Sequence, residues 1–381
     1  MTRTGIREIA SVAQVLARGR LGRYSGGHMT DRFEAESAAF LDSPHTLAVS
    51  SGTAALICAL VGVGVGPGDE VLVPAYTWVS TAAAPLALGA VPVLVEVDES
   101  LTLDPADMKT KITAKTRAVV PVHMLNLVCD MDAITALAAE HGIAVVEDAC
   151  QAFGVRYHGR RAGTIGDAGA FSFSQAKNIS SGEGGLVTTA DERIAARAGM
   201  FHDLGSYTRA GWVAPDEPLF VGMNMKMNEL ASSVLLPQLR RLDRELNRVA
   251  ALRRAVVEEL SRESTIRISP HHDPDAAIGL TVTFDDPADA ERFGRMRGAQ
   301  RLIDTGRHVP LNWESIRSRR TYSDRFDPYG WAGRTEDPAG PETCPVTLDI
   351  LARTCKITLR PDLPAAVARL VARKLAGYRS A

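Results

Sequence analysis

The chain reads as an α/β protein: a mostly parallel seven-stranded sheet flanked by helices, followed by a smaller C-terminal α+β domain. Two observations predict this. Seven short, continuously apolar runs are separated by helical stretches, as strands buried on both faces of a parallel sheet require. Polar and glycine residues then cluster just past the ends of these runs, where sheets of this kind collect ligands.

Taken in order, Asp31-Arg32-Phe33-Glu34 opens an amphipathic helix that ends near Asp42. The strand 45–49 follows, and Ser51-Gly52-Thr53 then begins an apolar helix through Val63. Gly66-Pro67-Gly68-Asp69 is a turn into the strand 70–74. A helix over 81–88 leads to strands at 91–95 and 118–122, a helix over 131–141, and strands at 143–146, 168–173 and 185–189. Residues 228–256 read as one long helix joining a large domain, 1–235, to a small one, 236–381. The small domain shows a strand at 280–284, a helix at 286–297, a strand at 301–303 and a terminal helix at 364–378. The stretch 312–345, rich in Arg, Gly, Pro and Asp, reads as a long irregular segment.

The 381 residues are 45% hydrophobic and 23% charged, with a formal charge of −2. That balance gives no electrostatic reason for a nucleic-acid or membrane partner. Five cysteines, widely spaced, argue against a disulfide framework or a structural zinc, and no metal is expected. Cys58 and Cys150 lie in apolar runs and read as structural core thiols. The N-terminal stretch carries Arg and Glu without a long apolar core, so the expected location is cytoplasmic.

The chemistry centres on Lys177, set between an apolar strand and the glycine turn Gly182-Glu183-Gly184-Gly185, and on Asp148, which ends another apolar strand. A lysine amine and a buried carboxylate are what pyridoxal phosphate asks of a protein. The amine forms a Schiff base with the aldehyde, and the carboxylate keeps the pyridine nitrogen protonated. Glu147 neighbours Asp148, but strand alternation points the two to opposite faces, so only one meets the ring. Ser51-Gly52-Thr53 at a helix start suits a phosphate, as it also suits an ordinary N-cap. Ser172 adds a hydroxyl to that phosphate site. Trp78 follows a strand end, where an aromatic stacks on a flat ring or fills the core under a loop.

The order Ser51-Gly52-Thr53, Gly68-Asp69-Glu70-Val71, Thr77-Trp78, Val122-His123, Glu147-Asp148-Ala149-Cys150-Gln151, Phe171-Ser172-Phe173, Lys177-Asn178 and Gly182-Glu183-Gly184-Gly185 resembles the DegT/StrS-type sugar aminotransferases, from about residue 20 to about 375. The resemblance implies the fold type I of pyridoxal-phosphate transferases. It implies Lys177 as Schiff-base lysine and proton shuttle, Asp148 as partner of the pyridinium, and Gln151 as contact to the ring hydroxyl. Trp78 is similar to the stacking aromatic, and Gly52, Thr53 and Ser172 to the phosphate cradle. Asn224 matches an asparagine that reaches the phosphate across a dimer interface, implying a homodimer with shared active sites. His308 and Trp313 fall where the family brings substrate contacts from the small domain.

The implied reaction moves an amino group from L-glutamate or L-glutamine to a keto-sugar or keto-cyclitol, with pyridoxamine phosphate as the carrier between half-reactions. A lyase or dehydratase on the same fold, and a non-catalytic ligand sensor, are the competing readings. Some relatives carry histidine in place of the lysine and dehydrate sugars, so lysine at 177 favours transamination. Leu125-Asn126 departs from the usual aromatic-glycine pair; asparagine can take the left-handed conformation glycine would supply. Arg209, Lys226, Arg307, Arg317, Arg319 and Arg320 are candidates for a diphosphate or donor carboxylate, or plain surface charges.

Overall fold

The apolar runs pair as one sheet in the computed structural model, which describes residues 4–206, 218–261, 266–334, 336, 338–359 and 364–378. Its strands are β1 (His45–Val49), β2 (Glu70–Pro74), β3 (Val91–Val95), β4 (Thr116–Val119) and β5 (Ala144–Asp148). After a small hairpin of β6 (Arg156–Tyr157) and β7 (Arg160–Arg161) come β8 (Ala168–Ser172) and β9 (Gly185–Thr189). The spatial order is β1-β9-β8-β5-β4-β2-β3. Strand β9 runs antiparallel to both its neighbours, and the remaining pairs are parallel, so β9 alone opposes the others.

Alternation sorts the strand residues between two cores. Val71, Val73, Val146, Ala170 and Val187 face one cluster, which holds the helix Gly52–Gly62. Leu72, Val119 and Val145 face the other, covered by the helix Met131–His141. Both faces being dry explains why the strands read as continuous apolar runs.

The stretch expected as one helix over 228–256 is two helices, Glu229–Leu239 and Leu242–Leu260. The first ends in a tightened turn in which Arg241 N–H reaches the Gln238 carbonyl, and the Arg241 guanidinium caps the Pro237 carbonyl and pairs with Glu8 at 2.5 Å. The second spans two cores: Leu242 packs with the large sheet, and Leu252, Val256 and Leu260 pack with the small one. That small sheet is antiparallel, with order β10-β11-β13-β12 for β10 (Arg267–Ile268), β11 (Thr281–Thr283), β12 (Ala299–Arg301) and β13 (Thr354–Ile357). The strand expected at 301–303 lies earlier, and Leu302–Asp304 is a 3-10 turn.

The 312–345 segment folds back onto the large sheet through short helices. Trp313, Ile316, Ala339 and Cys344 join the core beneath the helix Gly52–Gly62, while Tyr329 and Ala332 pack on Val91. Its apolar residues are too sparse for a periodic signal, yet enough to anchor it. Among the described residues no helix is long and apolar enough to cross a membrane.

Strand β9 passes so close to the turn after β1 that a Cβ on Gly185 would lie 2.2 Å from the Ser51 carbonyl oxygen. Gly185→Ala is expected to destabilise the fold by about 1–3 kcal/mol through overpacking. Urea denaturation with an unchanged m-value would register it.

Candidate active site

At the carboxyl ends of β1, β2, β5 and β8 a cavity of about 630 Å³ opens. Each strand delivers a different piece. Ser51 leaves β1 as N-cap of the helix Gly52–Gly62, its hydroxyl accepting from Ala54 N–H at 3.1 Å. Gly52 must be glycine here: a Cβ would sit 2.7 Å from Ser172 Cβ and 3.0 Å from Cys150 Sγ. Thr53 donates to Ser80 Oγ at 2.9 Å, and Ser172 closes the group from the end of β8. The result is a hydroxyl-lined hollow at the N-terminus of an eleven-residue helix.

Strand β5 ends in two carboxylates on opposite faces. Glu147, fully buried, accepts from His123 Nε2 at 2.8 Å and from the N–H groups of Gly163, Ile165 and Gly166 at 2.5–2.7 Å. Burial by itself opposes charge on both partners. Even so, Cys129 and Glu147 raise His123 to about 10, while His123 and the backbone donors hold Glu147 below its usual range. Asp148, 4% exposed, borders the cavity instead, accepting from Thr81 Oγ1 at 2.7 Å and from Cys150 N–H at 3.1 Å. Among the described residues no cation pairs with it, although a carboxylate this deep calls for one.

Lys177 lines the same cavity, on the turn after β8 where its N–H donates to the Ser174 carbonyl at 3.0 Å. Burial raises the Cys150 thiol, which feels Asp148 and Lys177 as well, so the three stand together. Cys150 is therefore a cavity residue, and the expectation of a core thiol gives way for it, whereas Cys58 is fully enclosed as expected. Gln151 accepts from Leu125 N–H at 3.2 Å, and its amide lies 3.5 Å from His308 Nε2. Trp78, 39% exposed, borders the cavity with its indole 5.1 Å from the His308 ring.

His308 arrives on the 3-10 turn Gly306–His308. Its Nδ1 lies 3.0 Å from the Thr305 carbonyl, which can only accept, so the proton sits on Nδ1 and the Nε2 lone pair is turned to Gln151. Burial, with the charges of Lys356 and Lys177 beside it, lowers this imidazole and keeps it neutral. Trp313 is not on the cavity wall. It is 1% exposed in the core, where its indole N–H donates to the Arg307 carbonyl at 2.8 Å and fixes the turn that presents His308.

Asn224 is exposed, bridged to Asp203 and outside the cavity of its own chain. Lys226 pairs with Asp203, and the Arg307 guanidinium lies 5.8 Å over Trp78. Arg209 falls outside the described residues. Sequence reasoning missed Lys356 on β13 and Asn178, both lining the cavity. A lysine in a mixed short strand carries no motif, whereas Asn178 stood beside Lys177 in plain view. Leu125 and Asn126, also lining it, both take left-handed backbone, φ 56° and 61°, with Asn126 Oδ1 accepting from Asn178 at 2.8 Å. The asparagine was expected there; the leucine was not.

This geometry has known relatives. The pattern of the DegT/DnrJ/EryC1/StrS aminotransferase family matches residues 3–376. The chain belongs to that family. Over 339 residues it is 42% identical to the dTDP-3-amino-3,4,6-trideoxy-alpha-D-glucose transaminase of Streptomyces venezuelae, covering 86% of this chain and 83% of that one. With the L-glutamine:2-deoxy-scyllo-inosose aminotransferase of Micromonospora echinospora it shares 42% identity over 241 residues, 60% of this chain and 56% of that protein. The crystal structure of S. venezuelae DesV superposes with a TM-score of 0.78 at 33% identity, covering 98% of this chain and 95% of that one.

The family is one of aminotransferases and its fold is type I, which implies pyridoxal phosphate as the cofactor, and the residues present fit that group. Asp148 is a buried carboxylate awaiting a cation, and the hollow at Gly52 is one that any side chain would fill. Among the described residues no group of three or more His, Cys, Asp or Glu is placed to hold a metal ion.

Glu147→Gln is expected to destabilise the fold by about 3–5 kcal/mol, because it leaves a buried imidazolium with no carboxylate partner. Since His123 is raised above its unfolded value and Glu147 lowered below its own, the wild-type contribution is full between about pH 4.5 and 6.5 and is lost in acid as Glu147 protonates. It fades above that window and is gone as pH rises past about 10. Denaturation midpoints across pH would show the difference between wild type and variant shrinking in that direction.

Proposed function

We propose that the protein transfers the amino group of L-glutamate or L-glutamine to the carbonyl carbon of a keto-sugar, free or nucleotide-linked, or of a keto-cyclitol. The observation that carries this is the meeting of Lys177 and Asp148 in one cavity beside the Gly52 hollow. When bound, the cofactor supplies an aldehyde for the donor's amine and a ring that takes up electrons as the α-proton leaves.

The chain's own residues do the rest. Gly52, Thr53 and Ser172 would hold the phosphate with backbone N–H and hydroxyl donors. Asp148, kept in place by Thr81 and Cys150 N–H, would balance a protonated ring nitrogen; Gln151 would reach the ring hydroxyl and Trp78 a ring face. Lys177 would supply the amine that condenses with the cofactor aldehyde and, once displaced by the donor's amine, would serve as the base that moves the proton. His308, neutral with Nε2 on the cavity wall 3.5 Å from the Gln151 amide, would accept a hydrogen bond from an acceptor hydroxyl in place of that long contact.

The same reading makes the enzyme a homodimer in which Asn224 reaches the cofactor phosphate of the partner. Its support is an exposed apolar strip beside Asn224: Leu219, Val221 and Met223 are 63%, 88% and 56% exposed. A cytoplasmic setting accords with five unpaired cysteines.

Absorbance spectra of the purified protein with pyridoxal phosphate test the reading. Wild type is expected to show a cofactor band that bleaches with L-glutamine or L-glutamate, and Lys177→Ala is expected not to bleach. Asp148→Asn is expected to keep the cofactor yet bleach at least about 100-fold more slowly. A wild-type band that persists with both donors would overturn transamination from these amino acids.

A further inference from the structure

Strand β13 lies inside the small sheet, with Lys356 opposite Thr281 of β11 and Gln300 of β12. Alternation sends its neighbours Cys355 and Ile357 into the apolar core with Phe284 and Phe293, and so turns Lys356 to the other face. That face borders the cavity, which Lys356 lines with Lys177, Gln151 and His308. Its charge reaches the His308 imidazole.

Lysines normally extend their ammonium into water or pair it with a carboxylate. Lys356 is half-buried, its ammonium pulled below the usual lysine range by burial, and among the described residues no carboxylate pairs with it. The acids that border the cavity are otherwise disposed: Asp148 is engaged by Thr81 and Cys150 N–H, and Glu183 is exposed at the rim. A partly dehydrated cation on a cavity wall, with no counter-charge among the described residues, is a site built for an anion that arrives with a ligand.

We propose that Lys356 recognises a substrate oxyanion from the small-sheet side of the cavity, a carboxylate of the amino donor or a phosphate of a nucleotide-linked acceptor. This rests on the aminotransferase reading for the identity of the substrates, but the anion site itself stands on the geometry of Lys356.

Isothermal titration calorimetry of the holoenzyme with two unreactive probes tests it: glutarate for donor carboxylates and inorganic pyrophosphate for acceptor phosphates. Four proteins are compared: wild type, Lys356→Gln, Lys356→Arg and Lys109→Gln. The last removes one positive charge from an exposed lysine outside the cavity. At least one probe is expected to bind about tenfold or more weakly to Lys356→Gln. Lys356→Arg and Lys109→Gln should stay within about threefold of wild type. The probe that responds names the source of the anion. Wild-type binding of neither probe, equal binding by Lys356→Gln, or equal losses in Lys356→Gln and Lys109→Gln would overturn the proposal. The cofactor band recorded on the same samples separates the two readings. Its absence counts against the aminotransferase, whereas a normal band with unaltered probe binding counts only against Lys356.

Discussion

The two adjacent carboxylates at the end of β5 impose the constraint around which the rest of the site is arranged. Strand geometry sends Glu147 and Asp148 to opposite faces of a sheet that is dry on both. A carboxylate in such a place must be met by charge or by several donors. Glu147 is met from within the fold, by His123 and three backbone N–H groups that also pin the loop between β7 and β8. Among the described residues Asp148 is met by neutral donors from Thr81 and Cys150 and by no cation. One carboxylate thus anchors the strand so that the other can be left short of a counter-charge, facing the cavity.

The remaining pieces follow from what surrounds that strand. β1 and β8 flank β5's side of the sheet and bring the Gly52 hollow and Ser172 together at a spacing that excludes a side chain. The chain beyond β12 then crosses back over the large sheet, and Trp313 is the pin of that crossing. Its indole is buried with the large-sheet core, and its N–H holds the turn from which His308 enters the site. His308, Lys356 and Gln151 therefore come from sequence regions far apart but share one wall. Its character is mixed: a neutral imidazole, a half-buried ammonium and an amide, facing the carboxylate and amine of the large sheet. Such a wall suits a polar acceptor with hydroxyls and an anionic group better than an apolar one.

How much of this was legible beforehand differs by residue. The large sheet was readable nearly strand for strand, because burial on both faces writes uninterrupted apolar runs into the sequence. Lys177, Asp148, Gly52 and Trp78 stood out because each follows such a run directly, and ligand sites in parallel sheets sit there. The small sheet was half legible: β11 sits in the run 280–284, where Leu280, Val282 and Phe284 alternate with threonines, but β13 is four mixed residues whose strand character comes from two partners distant in sequence. The 228–256 stretch looked like one helix because periodicity persists across its break, and only the docking of Arg241 on Pro237 and Glu8 marks the turn.

By itself the sequence determined the α/β class, the order of the strands along the chain, the family, and most of the residues that line the cavity on the large-sheet side, since all of these are local patterns. Only tertiary structure decided what each residue faces. It set Trp313 in the core and Cys150 in the cavity, gave Leu125 a left-handed backbone beside Asn126, and brought Lys356 to the wall opposite the apolar side of its own strand. The physical reason is that burial and charge pairing are properties of neighbours, and these neighbours lie tens to hundreds of residues away in the chain.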